Sequence, residues 1–471
     1  MEIDIQKQET SKKWMKLVIL LGAIFFSLLF YQQNFGLNLF LFTVLSIAVL
    51  VINNPKSFHK NTIRLNAIGY YITGITIFLY NSNLTIIANI IAFFTLIGSI
   101  SEHKSSVYIN WINGIYTATV AVFTLHFEKI NNEKKPVKRK KTDYAYWFKI
   151  VGIPLIIAII FISLYRNGNP KFDELIRKID FSFINFQWLV LTGLGYYLFY
   201  NITNPIQIEP VTSTDLKTGN NLLKEKLKYT SPKKLKGEKQ MGIILLSTLN
   251  LLIVLFLITD ALYLFEIHKM SAPELSEQVH TGVNALIISN LLAIIVILYF
   301  FRGNLNFIKD NKNLKVLTFI WISLNLIMIL ITAIKNIEYI FSFGLTYKRI
   351  GVLFFLLLTA IGLITTYFKV TNIKNLWYLV RKNIQIAFMI FIISSTVNWD
   401  KIITYYNINN AEVIDLKYLI NLSNNNAFLL KDYIEKNKIK NYKINEKHRN
   451  YVSELENNSW QEMVFDNLKI K

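Results

Sequence analysis

The sequence predicts an all-α fold, a polytopic transmembrane helix bundle of about 11–12 spans with a small helical C-terminal tail. Two observations indicate this class. Of the 471 residues, 53% are hydrophobic and only 17% are charged, whereas a soluble domain usually carries about 25% charged residues. The apolar residues also fall in runs of roughly 17–25, the length that a helix needs to cross about 30 Å of hydrocarbon.

Eleven apolar runs are predicted to span the membrane as helices, because a chain in lipid must satisfy its own backbone N–H and C=O groups. They are Met15–Tyr31, Gly36–Ile52, Asn66–Tyr80, Leu84–Ile100, Trp147–Tyr165, Phe186–Tyr200, Met241–Phe265, Thr281–Phe301, Leu314–Ile334, Ile350–Val370 and Asn383–Val397. A twelfth run, Tyr108–His126, contains Asn110 and Asn113 and is a weaker candidate.

Basic loops orient these spans. Lysine and arginine cluster at 129–141 and at 217–239, and such clusters are typical of cytoplasmic loops, where they contact anionic lipid. Both clusters lie inside only if Tyr108–His126 does not span, which places the N-terminus inside and the C-terminal tail outside. The alternative is twelve spans with both ends outside. The net charge of +21 is therefore attributed to topology, and no nucleic-acid partner is expected.

The chain changes character near residue 398. Residues 1–398 are interpreted as the membrane domain, and residues 399–471 as a short helical extramembrane tail in which acidic and basic residues nearly balance. The pattern Ser459-Trp-Gln-Glu462 resembles a capping box and predicts a short helix there. The tail is too short and too polar for a large core of its own, so we expect it to pack on the membrane domain.

Soluble-enzyme motifs are missing from the sequence. It contains no P-loop, no His-Glu-x-x-His and no Gly-x-Ser-x-Gly pattern, each of which would place a phosphate cradle, a zinc site or a nucleophile. It contains no cysteine, which excludes thiolate metal sites and thiol nucleophiles. No metal, cofactor or catalytic residue is predicted, and an enzymatic activity is not favoured.

Asp260 is the most informative single residue, because it lies inside a predicted span near its outer end. A carboxylate within the membrane is costly and is a functional hypothesis by default, although a carboxylate paired to a neighbouring helix for packing is the alternative. The topology places further polar groups at the same surface, where they are candidates for ligand binding or proton handling: His280, Glu338, Tyr339, Tyr347 and Arg349. Arg349 is expected to pair with Asp260 or to hold an anionic ligand group. Aromatic residues at this depth also form the ordinary interfacial belt.

Asparagines within the spans have a simpler interpretation. Asn250, Asn284, Asn290 and Asn325 are expected to make interhelical hydrogen bonds worth about 0.6 kcal/mol each.

Several short stretches in the second half occur in a recognisable order. They are Gln278–Gly282, Gly344–Ile350, Val397–Ile403 with Tyr406-Asn407, and Asp415–Leu419 with Leu422-Ser423. In this order they resemble the bacterial membrane family called domain of unknown function 4173. The resemblance implies a bacterial inner-membrane protein whose tail begins just after the last span, and it supplies no catalytic residue.

Three classes of function fit these features. The first is transport or binding of a small solute, ion or lipid through the outward-facing polar cluster. The second is a membrane-bound enzyme acting on a lipid-linked or envelope substrate. The third is a non-enzymatic sensor or assembly component, with the tail and the basic loops as contact surfaces.

Overall fold

The computed structural model describes residues 2–132, 150, 153–177, 185–224, 232–264, 272–308 and 310–470. Within these residues the chain forms eighteen α-helices and no β-strand. The predicted fold class, an all-α polytopic helix bundle, is confirmed. The basic cluster at 129–141 lies mostly outside the described residues.

The helices are numbered here in chain order. They are α1 Glu2–Phe30, α2 Leu37–Asn53, α3 Asn61–Leu79, α4 Asn83–Ser101, α5 Val107–Asn132, α6 Ile153–Gly168, α7 Pro170–Arg177, α8 Phe186–Thr203, α9 Glu209–Lys217, α10 Pro232–Leu264, α11 Ala272–Phe300, α12 Lys312–Phe343, α13 Tyr347–Thr371, α14 Leu376–Ser395, α15 Trp399–Asn410, α16 Leu416–Ile420, α17 Ala427–Lys436 and α18 Tyr442–Asn457.

Seven helices among the described residues are long and apolar enough to cross a membrane: α1, α4 and α10 to α14. Each coincides with a predicted span, and α2 is a shorter apolar helix. The run Tyr108–His126 lies within α5, which is not one of the seven. The choice between eleven and twelve spans stays a prediction.

Some helices extend well beyond the predicted apolar runs. Helix α14 begins at Leu376 rather than Asn383, because Asn375 caps it by accepting a hydrogen bond from the backbone N–H of Tyr378 at 3.0 Å. Helix α12 continues past Ile334 to Phe343 and ends at Gly344, whose φ of +79° suits glycine. Hydropathy locates the apolar centre of a helix, whereas capping groups decide where the helix ends.

The chain divides into two compact units. One comprises residues 1–32 and 118–204, where α1 packs against α8. A Cβ at Gly22 would lie 3.0 Å from the ring of Phe199, which shows how closely these two helices approach. The other unit comprises residues 33–117 and 205–471 and contains all the candidate site residues. One apolar core of this unit joins α10, α11, α12 and α13 around side chains such as Leu286 and Trp321.

The C-terminal helices have a small apolar core that includes a residue of a membrane-crossing helix. Leu419, Leu430 and Ile434 pack in one cluster with Ile350 of α13. The division of the chain at residue 398 stays a prediction, since the contacts cross that point.

The helix predicted at Ser459–Glu462 is wrong, because these residues form a turn. Glu462 does not cap a helix of its own. Its carboxylate accepts a hydrogen bond from the backbone N–H of Asn34 at 2.6 Å, and the carbonyls of Gln461 and Met463 accept from the segment that opens α2. A long-range partner therefore replaces the local capping interaction.

Candidate functional site: a lateral groove with an ion pair

A lateral groove runs between α10 and α11. Both helices pack extensively on α12 but scarcely contact each other. The cleft between them consequently has α12 as its floor, with Trp321 and Met328 at its base. Such an opening faces sideways, toward the surroundings of the bundle.

The groove has a volume of about 600 Å³, which lies in the range of roughly 300–1,000 Å³ that is usual for small-molecule sites. Its walls are almost entirely aliphatic and aromatic. The wall residues Leu252, Ile288 and Leu292 are more than half exposed, at 56%, 61% and 55%. From Leu245 to Asp260 the groove follows sixteen residues of α10, which span about 22 Å at a rise of ~1.5 Å per residue.

One end of the groove carries opposite charges. The Lys335 ammonium on α12 donates a hydrogen bond to the Asp260 carboxylate on α10. The two side chains are only 7% and 14% exposed, in that order. A charge within a membrane is costly unless it is paired, and a pair withdrawn from water needs good geometry to offset its desolvation. Asp260 therefore has the interhelical partner that its position requires.

In the described part of the lining, few other polar groups face the groove. Thr332 lies on α12 between Met328 and Lys335, and its hydroxyl donates to the Met328 carbonyl at 3.0 Å. Ser289 lines the α11 wall. The groove is thus apolar along most of its length and charged at one end.

The span asparagines act differently from one another. Asn250 donates to the Leu317 carbonyl at 3.0 Å and so links α10 to α12, which is the interhelical bond expected for it. Asn290 and Asn325 instead donate to the carbonyls of Leu286 and Trp321, each four residues earlier in its own helix. Asparagine side chains can return to their own backbone in this way, so their sequence position alone does not predict the partner.

Arg349 lies in the first turn of α13, just after the turn that follows α12. Its guanidinium carbon lies 3.7 Å from the centre of the Tyr339 ring, within the range of cation–π attraction. It also donates to the Phe343 carbonyl at 2.7 Å and to the Gly344 carbonyl. These bonds satisfy the free carbonyls at the end of α12. Arg349 therefore holds a helix end, and Asp260 has Lys335 as its partner.

The remaining candidates are dispersed. The Tyr347 hydroxyl donates to Asp400 at 2.8 Å and lines a different cavity. Glu338 is partly buried on α12, three residues beyond Lys335. The backbone of His280 belongs to α11, but its side chain lies outside the described part of the chain. Tyr339 and Arg349 are thus brought together, whereas Tyr347 lies apart from the groove.

Sequence reasoning missed Lys335. It directly follows the predicted span Leu314–Ile334, where a lysine is ordinarily an interfacial anchor. The available signal was a second intramembrane charge on a neighbouring span, opposite in sign to Asp260.

These features define an α-helical membrane protein with a lateral, mainly apolar groove. The chain belongs to the family described as Domain of unknown function (DUF4153), whose model matches residues 15–433. No curated protein and no solved structure matches the chain.

The resemblance to domain of unknown function 4173 is therefore wrong. The stretches that suggested it contain residues at helix ends. Gly344 follows the last residue of α12, and Asn398 and Asp415 cap the N-termini of α15 and α16. Glycine and Asx residues at helix ends recur in unrelated helical proteins, and such positions distinguish families poorly.

Proposed function

We propose that this protein binds an amphiphilic, lipid-like molecule in the groove between α10 and α11. The apolar tail lies along the aliphatic walls, and the headgroup meets Asp260 and Lys335. The observation that carries the proposal is the combination of an elongated apolar groove with one buried ion pair at its end.

The shape of the groove favours a lipid over a small ion or polar solute. Its walls offer aliphatic contacts over about 22 Å of helix length, and its sides belong to helices that barely meet. A molecule already dissolved in the bilayer enters such a cleft sideways without crossing water. A hydrophilic solute gains little from walls of leucine and isoleucine.

The ion pair selects the headgroup. Lys335 carries an ammonium group with N–H donors and Asp260 carries a carboxylate with acceptor lone pairs, so the polar end of the groove presents one group of each charge to a ligand. A headgroup that carries a phosphate or carboxylate binds the ammonium, and one that carries an amine or hydroxyl binds the carboxylate. A zwitterionic headgroup matches both charges without leaving either unpaired.

The cellular setting forms part of the proposal. The charge distribution supports a cytoplasmic (inner) membrane of a bacterium, with the N-terminus inside and the tail outside. In that orientation Asp260 and Lys335 belong to the outer leaflet. Anionic lipids would neutralise the basic cytoplasmic loops.

Binding is preferred here to a reaction on the lipid. A reaction needs a positioned nucleophile or general base, and among the described residues that line the groove the only ionisable groups are Asp260 and Lys335, which are paired with each other.

The direct test is to ask whether the purified, full-length protein retains lipid. We expect native mass spectrometry in mild detergent to show a bound phospholipid on the wild type. Ala285→Phe places a ring in the groove and should remove the adduct. Ile287→Phe adds a ring to an exposed position of the same helix that does not line the groove, and it should leave the adduct unchanged.

Two outcomes would contradict the proposal. One is a wild-type protein with no lipid adduct in any mild detergent. The other is equal retention by the Ala285→Phe and Ile287→Phe proteins, because bound lipid would then lie outside the groove.

A further inference from the structure

A second cavity lies beside Tyr347 and differs from the groove in chemistry. It has a volume of about 450 Å³ and a lining in which amide, hydroxyl and aromatic groups predominate. Four segments form it: residues 80–84, Tyr347, residues 397–400 and residues 421–425. All belong to the same compact unit.

The walls of this polar cavity are the N-terminal ends of three helices. Ser82 caps α4 by accepting from the N–H of Thr85 at 3.2 Å. Asn398 caps α15 by accepting from the N–H of Lys401 at 3.1 Å. Tyr347 is the first residue of α13. Capped helix ends are well fixed, so the cavity is preorganised.

A carboxylate lies in the first turn of α15 and contacts the first residue of α13. Asp400 is 5% exposed and accepts from the Tyr347 hydroxyl at 2.8 Å and from the Ser423 hydroxyl. Positive helix N-termini stabilise an anion, which accounts for a buried carboxylate at this place. The Asp400 carboxylate therefore supplies the negative charge that these helix N-termini favour.

The rest of the lining is uncharged. Among the described lining residues Asp400 is the only charged side chain, and five are asparagines. An asparagine amide offers two donors and an acceptor, which matches a group whose hydroxyls both donate and accept. Trp399 and Tyr80 add ring surface, against which the C–H face of a sugar packs.

We propose that the polar cavity binds a neutral, hydroxyl-rich group, namely a sugar ring. Asp400 accepts a ligand hydroxyl through a free lone pair, and the asparagine amides pair with the neighbouring hydroxyls. Among the described residues that line the cavity, none carries an ammonium or guanidinium for a phosphate or carboxylate. Its lining is much more polar than that of the groove, which separates the two sites.

The same sugar chemistry has two sources, a soluble saccharide or the headgroup of a glycolipid. A sugar from either source would donate a hydroxyl hydrogen bond to Asp400. The experiment must therefore present the sugar with and without a lipid anchor.

The test uses the full-length protein in phosphatidylcholine nanodiscs and saturation-transfer NMR. The probes are the methyl glycosides of glucose, galactose and N-acetylglucosamine, with methyl phosphate as the anionic alternative. We expect saturable transfer to at least one glycoside. Asn83→Trp fills the cavity from an exposed lining position and should abolish it. Asp400→Asn should weaken binding about 10-fold or more, as expected for losing a charge-assisted hydrogen bond.

Asn409→Trp is the matched control, because Asn409 is exposed on α15 and does not line the cavity. It should leave binding unchanged. The octyl glycoside of the bound sugar then separates the sources: equal affinity indicates a soluble sugar, and an affinity at least 10-fold higher indicates a glycolipid. Transfer to none of the glycosides, transfer to methyl phosphate alone, or undiminished transfer in Asn83→Trp would overturn the proposal.

Discussion

The Asp260 carboxylate on α10 and the Lys335 ammonium on α12 form an ion pair across two neighbouring membrane helices. The pair ties α10 to α12 at the end of the groove, while Asn250 ties the same two helices together farther along by its bond to the Leu317 carbonyl. Helices α10 and α11 both pack on α12 but scarcely contact each other. The pair therefore fixes one wall of the groove and also marks its polar end.

Removing one partner of this ion pair should destabilise the protein more than removing both. Asp260→Leu or Lys335→Met removes one member of the buried ion pair and leaves the other without its counter-charge in that pair, at a cost of about 3–5 kcal/mol. The double variant Asp260→Leu/Lys335→Met should recover most of the loss. Chemical unfolding in one detergent measures these differences as a double-mutant cycle.

The Lys239–Asp310 pair provides a matched control, since the Asp310 side chain is 89% exposed. Lys239→Met should change the free energy of unfolding by less than about 1 kcal/mol. If single and double changes at the buried pair were additive, Asp260 and Lys335 would not interact in the protein.

Gly344→Ala should destabilise the turn between α12 and α13. The φ of Gly344 is +79°, and an added Cβ would lie 2.7 Å from the Asn407 side-chain oxygen. We expect a loss of more than about 1 kcal/mol, since alanine is strained at positive φ. Gly351→Ala is the control. Gly351 lies within α13 with nothing within 4 Å of the added Cβ, so this change should be neutral or stabilising by up to about 1 kcal/mol. Equal effects in thermal unfolding would contradict the account.

Lys447 should make stability depend on alkaline pH. Burial lowers the pKa of Lys447 from 10.5 to about 8. The negative charge of Asp400 raises this pKa, but its effect is smaller than that of burial. Between these two pH values the unfolded chain binds a proton that the folded chain has lost, so stability gains a contribution as pH rises. Relative to Lys447→Met, the wild type should become more stable between pH 8 and pH 10. A constant difference in melting temperature across that range would exclude this contribution.

Reporters at the two ends test the topology. Alkaline phosphatase fused after Lys471 should be active, because the tail is expected outside, and a fluorescent protein fused before Met1 should fluoresce in the cytoplasm. An N-terminus outside would favour the twelve-span alternative. A C-terminus inside would break the assignment for the second half and turn the end with Asp260 toward the cytoplasm.

Much of the fold could be predicted from hydropathy, but the contacts between helices could not. The spans containing α10 to α13 follow from long apolar runs, whose physical cause is the absence of water around the backbone. Which helices pair is decided by side-chain packing, which periodicity does not encode. For this reason Asp260 stood out in the sequence, whereas its partner Lys335 did not.

Local sequence motifs also failed to predict long-range hydrogen-bond partners. Ser459 and Glu462 have the spacing of a capping box, yet Glu462 bonds to Asn34. Tyr347 was a candidate for its position near the outer surface, but Asp400, to which it donates, lies 53 residues later. A site formed by helix ends that are far apart in sequence can be identified only from the folded structure.

The most direct test of a lipid in the groove is a cryo-electron microscopy structure of the full-length protein in lipid nanodiscs. We expect an elongated non-protein density between α10 and α11, with its polar end within hydrogen-bonding distance of Lys335, and its loss in Ala285→Phe. A structure in which α10 and α11 pack directly against each other and close the groove would contradict the account.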